Sequence, residues 1–550
     1  MKKILYKAIC IASLIGLTAC EKTFDELASN PNQQDVNGFY NTPQNINKGV
    51  IGIYAYITTP RAMGTAGRLQ INRGDESSDA SDYGVPGQYS ANLSSSWYTI
   101  VQPYSLFYTA ASQACQMIEE IPKVNFSNQQ LKNAYLGEAY FLRAYTHWFL
   151  FLNFRNIPLM KELPSSAKDY KPQATPEEAW DFIISDLKRA KELLPEKGFW
   201  TGESVGRVTK GSAIALLGKA YLYRSGIEHY YGHSSTTYYN EAAAEFNELI
   251  LSGKYRLVAD YNDNFKVATE NNDESIFELQ FLGDVTNTGF NPGLSNSGVW
   301  RDPRGYLPPT NKNANSSVIH DWVYNTFVNS KDASGHTDPR MFGTLIFDDT
   351  KSEINARTGD EVRIFDNKTF REYYGAKGFG VAKAQAKKYK AACRKGIDWT
   401  LATRNPGDNF YMWNGRANGL NQTEIRYADV LLMYAEAVVK GGTQGSLTAL
   451  DAVNQVRARV GMPAVSTVDM DVIEHERILE LTQEGHRFFD LLRWGKVAQR
   501  FHELERTDPN FKKYSNSAYL GFQENKNEWL PLPVDEVEGN PHITRNNPGW

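Results

Sequence analysis

The feature that most constrains the fold is a short internal repeat. The residues over Leu136–Tyr140 read LGEAY, and a near copy, LGKAY, returns over Leu217–Tyr221. Each copy precedes a second helical segment, beginning near Ala179 and near Ala242, and Ala242 lies four residues before Phe246. This order matches the L-G-x2-Y … A-x3-F pattern of tetratricopeptide repeats, in which glycine lets the paired helix approach closely. We therefore predict a mainly α fold built of tetratricopeptide-like helical repeats.

Helical patterns extend on both sides of this repeat. Thr175, Pro176 and the two acidic residues that follow form a helix start, because Thr caps the first turn and acids favour the positive end of the helix dipole. The segment 226–237 is predicted as a loop. The predicted helices are Tyr98–Ile121, Leu131–Phe154, Pro176–Leu194, Lys210–Arg224, Tyr239–Leu251, Ser317–Val328, Glu424–Val439, Leu447–Val460 and Val472–Glu484.

A long loop-rich insertion separates two groups of helices. Residues 275–281 alternate apolar and polar side chains, as a short strand does, and Gly, Asn and Pro are frequent from 287 to 309. We predict one domain over 46–550, with helical repeats at about 95–255 and 424–500, the insertion at about 256–423 and an extended stretch over 527–550. Loops on a rigid scaffold are where binding sites usually lie, so the insertion is the expected ligand-binding region.

The first twenty residues predict export and lipid attachment. Basic residues at positions 2, 3 and 7 precede the apolar run Ala8–Ala19, which is shorter than the about 20 residues that span a bilayer. The run ends in Leu-Thr-Ala-Cys at 17–20, a site for lipoprotein signal peptidase. We expect a signal peptide over 1–19, acyl chains such as palmitate on Cys20 and a polar tether over 20–45. An ordinary secretory peptide is the alternative.

Composition and motifs argue against nucleic-acid binding and against familiar enzyme sites. The net charge is −4, so there is no basic excess for nucleic acid. The chain contains no G-x-S-x-G, P-loop, G-x-G-x-x-G or H-E-x-x-H motif. We expect no catalytic residue, cofactor or metal ion. Cys115 and Cys393 are the cysteines that remain after export, and we expect two separate buried thiols rather than a disulfide.

Three polar motifs have both a functional and a structural interpretation. His229 and His233 have the spacing of a metal pair on a helix, but the glycine between them favours stacked or exposed side chains in a loop. Residues 260–264 resemble a calcium loop in composition only and are predicted as a turn. The acidic residues at 75, 76, 79 and 82 either bind sugar hydroxyls or cap turns and stay solvated.

Aromatic residues in loops, beside Asn, Asp and Arg, are the candidate ligand contacts. Flat rings stack on sugar rings, and planar polar groups bond neighbouring hydroxyls. Core packing is the alternative for each aromatic and is favoured for Trp97 and Trp322, which we assign to helices. The candidate contacts are Asp82, Tyr83 and Tyr89; Tyr230; Trp300, Arg301 and Tyr306; and Tyr411, Trp413 and Asn414.

Several longer motifs carry a resemblance to a known family. The most specific are IRYADVLLMYAEA over 425–437 and EGHRFFDLLRW over 484–494; the others are LRAY over 142–145, NIPL over 156–159, GRVTKGSA over 206–213, ESIFE over 274–278, DPR over 338–340, LPLP over 530–533 and NPGW over 547–550. With these motifs the chain resembles the RagB/SusD family of nutrient-binding outer-membrane lipoproteins from Cys20 to Trp550. The motifs locate helices, and the family's sugar contacts vary, so no ligand contact is carried over.

The resemblance implies a fold, a partner and a location. The fold is a SusD-like α-α superhelix with four tetratricopeptide-like units. The partner is a SusC-like barrel transporter driven through TonB, over which the lipoprotein sits as a lid. The repeats would face that barrel and the insertion would face the medium. The lipid anchor would lie in the outer membrane, with the chain facing the cell exterior.

Three functions follow from this combination. The favoured one is a non-catalytic lipoprotein that captures oligosaccharides or polysaccharides and delivers them to the transporter. The alternatives are a lipid-anchored glycoside hydrolase and a scaffold of the uptake complex that binds only protein. Starch, fructan, host glycans and plant polysaccharides all offer stackable faces and hydroxyls, and a peptide is a further candidate ligand. The spread of the aromatic clusters suits an oligomer better than a monosaccharide.

Overall fold

The fold was analysed in a computed structural model, which describes residues 36–59, 61–79, 89, 93–166, 169–281, 317–364, 368–375, 390–396, 419–508, 511 and 520–550. The predicted signal peptide, Cys20 and most of the predicted tether lie outside these residues. Within them the chain is mainly helical with short antiparallel strands, which confirms the predicted fold class. No described helix is long and apolar enough to cross a membrane.

The helices are numbered in chain order over the described residues. They are α1 (Val36–Phe39), α2 (Pro43–Thr58), α3 (Met63–Asn72), α4 (Tyr98–Glu120), α5 (Gln129–Phe154), α6 (Pro176–Leu193), α7 (Lys210–Tyr230), α8 (Tyr239–Leu251), α9 (Asp321–Asn329), α10 (Arg340–Thr344), α11 (Phe370–Tyr374), α12 (Tyr427–Val439), α13 (Ala449–Arg459), α14 (Met470–Leu481), α15 (Arg487–Arg493), α16 (Val497–Thr507) and α17 (Val534–Gly539). Short 3-10 turns occupy Ile121–Lys123, Gly202–Ser204, Tyr261–Phe265 and Val267–Thr269.

The strands form two small antiparallel sheets. They are β1 (Ser77–Asp79), β2 (Ser275–Leu279), β3 (Ser317–Ile319), β4 (Leu345–Phe347), β5 (Ala391–Cys393) and β6 (Gln422–Arg426). Four strands lie in the order β1-β3-β5-β4, while β2 pairs with β6 alone. The pairing of β2 with β6 joins the start of the predicted insertion to its end.

The repeat glycines have the packing role that the pattern predicts. A Cβ on Gly218 of α7 would lie 2.7 Å from the ring of Phe246 in α8. A Cβ on Gly137 of α5 would lie 2.9 Å from Leu194, directly after α6. The α5–α6 and α7–α8 pairs are therefore close-packed helical hairpins. Thr175 also caps α6 as predicted, because its side chain accepts from the Glu178 N–H in a capping box.

Three N-terminal helices, α1, α2 and α3, were not predicted. The helix α2 begins inside the predicted tether, where Thr42 caps the first turn by accepting from the Asn45 N–H and Pro43 occupies the first helical position. One face of α2 is then buried through Ile46 and three further aliphatic residues. The polar start of this helix conceals its apolar spacing, and residues 36–39 and 43–45 of the predicted tether are helical.

Four other boundaries differ from the prediction. Residues 317–319 form β3 rather than the start of a helix, so α9 begins only at Asp321. The helix α7 extends into the predicted loop 226–237 and ends at Tyr230. The strand β6 occupies the first residues of the predicted helix Glu424–Val439 because they pair with β2. The helix α17 interrupts the stretch predicted as extended.

Two hydrophobic cores support the described chain. The larger lies among the helical hairpins and includes Phe107, Phe149 and Trp180, which are all fully buried. The smaller lies around the four-stranded sheet and includes Phe347 and Phe327. Cys115 and Cys393 are buried free thiols, as predicted. Asp260 accepts from the Asn262 N–H and caps a short turn, which confirms the structural interpretation of that motif.

Candidate functional site

The ends of three chain segments that carry predicted ligand contacts meet in pairs. Asp79 pairs with Ser317, so segment 80–88 starts where segment 282–316 ends. At the other end of segment 282–316, the Phe281 N–H donates to Asn421 Oδ1 over 2.8 Å. Gly396 and Leu420, which flank segment 397–418, line one pocket together with Asn421. We call this pocket the loop-root pocket.

The loop-root pocket is a small polar cavity of about 30 Å³. Its residues come from α3, the turn at 261–265, the end of β5, the start of β6 and the α14–α15 connection. Such a cavity is large enough for a water-sized group. The described residues that line it are Gly67, Gln70, Ile71, Asn264, Phe265, Lys395, Gly396, Leu420, Asn421, Gln422, Thr423, Gln483, Glu484 and Gly485.

Asn421 holds one wall of this pocket through its side-chain amide. Its Nδ2 donates to Glu278 Oε2 over 3.0 Å and to Gln280 Oε1 over 2.9 Å. Its backbone N–H donates to Glu270 Oε1 over 2.7 Å. Burial raises the pKa of Glu278, and its hydrogen bonds to Asn421 act in the opposite direction. The amide thus fixes the end of β2 against the start of β6.

An ion pair between Lys395 and Glu484 lies at the base of the pocket. The Lys395 ammonium donates to Glu484 Oε1 over 2.7 Å, and Arg426 donates to both oxygens of the same carboxylate. Burial acts to raise the pKa of Glu484, but Arg426 and Lys395 outweigh it and lower this pKa to about 2. The carboxylate therefore remains charged at neutral pH.

A buried chain of charges connects this ion pair to the smaller core. Arg426 also pairs with Glu274 and with Glu480. Glu480 in turn pairs with Arg340, which is 0% exposed and bonds Asp338 as well. Buried charges are retained only when they are paired and hydrogen-bonded. This network therefore holds the Lys395–Glu484 pair, at the base of the pocket, against α14 and β6.

Two glutamines of the pocket have side-chain oxygens without a donor. Gln422 Nε2 donates to Glu424 Oε1 over 2.7 Å, and Gln483 Nε2 donates to Ser77 Oγ over 3.0 Å. In both side chains Oε1 is buried and has no hydrogen-bond partner among the described residues. Buried polar atoms are seldom left unpaired in proteins, so these two oxygens are an uncommon feature of the residues around the pocket.

The acidic residues beside β1 are structural rather than solvated. Asp75 is fully buried and accepts from Arg487 and Arg500. Burial acts to raise the pKa of Asp75, but these two guanidinium groups lower it to about 2. Burial and the Asp75 charge raise the pKa of neighbouring Glu76 to about 8. Asp75 and Glu76 are therefore buried among protein groups, an environment that differs from both alternatives considered for this cluster.

The predicted ligand contacts are divided among three environments. Tyr89 is 3% exposed, packs on Phe501 and Phe522 and donates to the Arg73 carbonyl, so the structure places it in the core. Tyr230 ends α7, is 41% exposed and packs on Gly495. The remaining contacts lie outside the described residues: Asp82, Tyr83, Trp300, Arg301, Tyr306, Tyr411, Trp413 and Asn414.

Other polar features do not form a comparable site. The ring of His229 packs edge-on against Tyr230, and no group of His, Cys, Asp and Glu among the described residues is arranged to hold a metal ion. A second cavity, of about 340 Å³, lies beside Trp322, and we call it the Trp322 groove. Its basic side chains are already paired, since Arg500 bonds Asp75 and Lys496 bonds Glu474. The Trp322 indole donates to the Asp75 carbonyl.

Sequence reasoning missed the polar residues of the loop-root pocket. Gln483 directly precedes the motif at 484–494 and Gln422 lies three residues before the motif at 425–437, but nothing in their local sequence distinguishes them from surface glutamines. They are separated by some sixty residues and meet only through the packing of β6 against the α14–α15 connection. The one signal that could have found these two glutamines is their position beside segments that contain buried charged residues, such as Arg426 and Glu480.

Two family models match the chain. The model described as the SusD family matches residues 273–550, and the model described as starch-binding associating with outer membrane matches residues 26–222. Among curated relatives, SusD-like protein P2 of Formosa agariphila is 25% identical, with 100% of each chain covered.

Solved structures confirm the fold. A SusD superfamily protein from Bacteroides vulgatus is similar with a TM-score of 0.70 and 24% identity, covering 93% of this chain and 100% of that one. Surface glycan-binding protein A from Bacteroides thetaiotaomicron in complex with laminarihexaose is similar with a TM-score of 0.66 and 19% identity, covering 92% and 99%. At these identities the similarity concerns the fold.

Proposed function

Because this chain belongs to the SusD family, we propose that it is a non-catalytic glycan-binding lipoprotein that captures oligosaccharides and delivers them to a SusC-like, TonB-dependent transporter of the outer membrane. The ligand is an oligosaccharide or polysaccharide, and the binding site is centred on the loop-root pocket. The related fold that holds laminarihexaose shows that this architecture can bind a glucan, and here it supports the ligand class.

The observation that carries this proposal is that two aromatic-bearing segments have ends at the loop-root pocket. Gly396 and Leu420, on either side of segment 397–418, line the pocket, and Phe281, just before segment 282–316, donates to the lining residue Asn421. We propose that Trp300, Arg301, Tyr306, Tyr411, Trp413 and Asn414 contact the glycan, with Asp82 and Tyr83. Ring stacking supplies affinity, and the polar groups of the pocket orient the sugar.

The charges of the pocket support binding without catalysis. Glycoside hydrolysis ordinarily requires two carboxyl groups on either side of the scissile bond, and one of them must hold a proton. Among the described lining residues Glu484 is the one carboxylate, and its pKa of about 2 keeps it unprotonated. Arg426 and Lys395 already bond it, so it is a structural anion.

The membrane anchor and the transporter partner complete the proposal. Cys20 follows a signal-peptide pattern and is the proposed lipid attachment site. The family description that covers residues 26–222 supports association with the outer membrane. Helical repeats present extended faces to protein partners, so the α5–α8 hairpins are the proposed surface for the transporter. The insertion and the loop-root pocket would then face the cell exterior.

A glycan array tests the proposal. A soluble form containing residues 21–550 is screened against neutral and acidic oligosaccharides, and each bound glycan is then incubated with the protein and assayed for released reducing sugar. We expect binding of at least one oligosaccharide with no turnover. Turnover that persists after repurification would favour the hydrolase. A folded protein that binds no glycan but still captures a barrel transporter would favour the scaffold.

A further inference from the structure

The side of α2 opposite its buried residues is uncharged apart from one lysine and has exposed apolar side chains. Ile51 is 49% exposed, Tyr56 is 39% exposed, and Ala55 is exposed between them. At about 100° per residue, this side covers an arc of about 140° on the helix. We call it the α2 outer face; its residues are Lys48, Ile51, Gly52, Ala55, Tyr56 and Thr59.

The helix α4 lies beside this face. A Cβ on Gly49 would meet the side chain of Met117, and a Cβ on Gly52 would come nearest to Gln113. Residue numbers rise along α2 as they fall along α4, so the two helices run antiparallel. This register places Thr109, an exposed residue of α4, beside the C-terminal half of α2. The exposed side of α4 therefore continues the α2 outer face.

Charged residues are absent from a long part of the chain around this surface. Residues 83–118 contain no Asp, Glu, Lys or Arg, and Lys48 is the one such residue in 36–59, although 22% of the whole chain is charged. Burial explains this for the inward sides of α2 and α4. The exposed side of α4 has Ser105 and Thr109 instead of charged residues. Depletion of charge on an exposed surface indicates that a partner covers it.

Hydroxyl groups of this surface bond to their own helices. Thr109 Oγ1 donates to the Ser105 carbonyl over 2.9 Å, and Thr59 Oγ1 donates to the Tyr56 carbonyl over 3.2 Å. Hydroxyls that are bonded in this way can lie against lipid without losing a hydrogen bond. A protein partner would ordinarily be recognised through hydrogen bonds across the interface. These contacts therefore favour a lipid surface as the occupant.

The position of α2 in the chain points to the same occupant. Val36, where α1 begins, follows the proposed lipid attachment site Cys20 by 16 positions. A chain spans at most about 3.3–3.6 Å per residue, so Val36 lies within about 55 Å of the bilayer. We infer that the α2 outer face lies on the membrane surface beside the lipid anchor. This inference rests on the lipid attachment in the proposed function and specifies the orientation of the anchored chain.

The side chains of the α2 outer face suit the boundary between lipid headgroups and acyl chains. Ile51 and Ala55 offer apolar surface, and Tyr56 combines an apolar ring with a hydroxyl group. Lys48 can extend its ammonium group to lipid phosphates at the edge of the contact. So small a contact is weak by itself, but the anchor makes it intramolecular. A weak contact is then sufficient to orient the domain.

Fluorescence labelling of the anchored protein tests the inference. The full-length chain is produced with its lipid, reconstituted in vesicles of phosphatidylethanolamine and phosphatidylglycerol, and isolated by flotation. An NBD dye is attached to the cysteine of Ile51→Cys, of Tyr56→Cys or, as the matched control, of Leu251→Cys. Leu251 is the most exposed large apolar residue among those described and lies in α8. Because the two native thiols of the domain are buried, a protein without an added cysteine gives the background.

We expect blue-shifted emission and quenching by nitroxide-labelled lipid at positions 51 and 56, and neither at position 251. Equal signals at the three positions, or dyes in water at 51 and 56, would overturn the inference and leave the proposed glycan binding intact. Shielding that arises only when the transporter is reconstituted with the chain would also overturn it, since the face would then contact protein. A chain that does not float with the vesicles would overturn the lipid attachment as well.

A charged variant measures how much the face contributes. In the lipidated chain with the dye at position 56, Ile51→Glu is expected to weaken the contact about tenfold and so to lower lipid quenching, because apolar surface is lost and an anion is added. Leu251→Glu is the matched control and leaves the quenching unchanged. Both positions are exposed, so neither variant is expected to change Tm. Equal quenching in the two variants would contradict the inference.

Discussion

The ring of Phe246 packs directly on the backbone of Gly218, where a Cβ would approach the ring carbon Cε1 to 2.7 Å. Gly137 makes the corresponding contact with Leu194 in the other helical hairpin. Real Cβ atoms do not approach other atoms so closely, so each hairpin depends on glycine at this position. The distance between paired helices, and with it the position of β6 and of the loop-root pocket, follows from these contacts.

Replacing Gly218 by alanine is expected to destabilise the protein by about 1–3 kcal/mol. The added methyl group forces Phe246 or the helix axis to move, and that cost exceeds the about 1 kcal/mol that alanine contributes to an isolated helix. Urea unfolding followed by circular dichroism measures the change.

Gly52 in α2 is the matched control. A Cβ there would meet nothing closer than Gln113 Cγ at 4.0 Å, so Gly52→Ala is expected to stabilise the protein by about 0.5–1 kcal/mol. If the two variants had the same effect, packing at Gly218 would not set the helix separation.

Replacing Arg340 by methionine is expected to cost about 3–5 kcal/mol of unfolding free energy. The change leaves Asp338, Glu476 and Glu480 buried near one another without this guanidinium group. Arg189→Met, which breaks the exposed pair with Glu192, is expected to change stability by less than about 0.5 kcal/mol. A small effect at Arg340 would show that the charge network does not hold the insertion against α14.

The stability of the protein is expected to fall between pH 6.5 and pH 4. Burial and the nearby charge of Arg143 lower the pKa of His147 to about 4, although the hydrogen bond between its ring and the Arg143 carbonyl acts in the opposite direction. In the unfolded chain a histidine binds its proton near pH 6.5, so acid favours unfolding in this range. Above pH 6.5 this contribution is fully present.

His147→Gln tests the assignment because a glutamine keeps hydrogen-bonding groups but does not titrate. Unfolding free energies at pH 7.5, 6.5, 5.5 and 4.5 are compared for the two proteins. The wild type is expected to lose up to about 1.4 kcal/mol per pH unit more than the variant between 6.5 and 4. Parallel curves would mean that His147 is not kept neutral by the fold.

Alanine substitution of the loop aromatics is expected to weaken glycan binding without changing stability. Trp300→Ala and Trp413→Ala each remove a proposed stacking surface, and we expect about tenfold or greater loss of affinity by calorimetry. Tyr230→Ala is the comparison, because Tyr230 is a predicted contact but lies at the end of α7, where its ring packs on Gly495. Loss of binding only in Tyr230→Ala would move the site away from the loop-root pocket.

The helical framework was predictable because its signals are local. The repeated glycine and aromatic residues, and the cap at Thr175 with its acidic partner, are all within a few residues of one another. The helices α2 and α3 were missed although Thr42 and Pro43 form a readable start. The strand β3 was missed because its partner β1 lies about 240 residues away, and a three-residue strand has no pattern of its own.

The candidate site was only partly predictable for the same reason. The loops with aromatic residues were identified from composition, but Tyr89 turned out to be buried against Phe501 and Phe522. The burial of Asp75 was not predictable, because its partner Arg487 is 412 residues away in sequence. The unpaired oxygens of Gln422 and Gln483 depend on three-dimensional packing, which a single sequence does not reveal.

A crystal structure of the soluble form with its best-binding oligosaccharide tests the central claim most directly. The account predicts that part of the glycan lies at the loop-root pocket, against the residues that line it. It also predicts that the rest of the glycan extends from the mouth of that pocket. A glycan bound only beside Tyr230 or in the Trp322 groove, with the loop-root pocket left to solvent, would contradict the account.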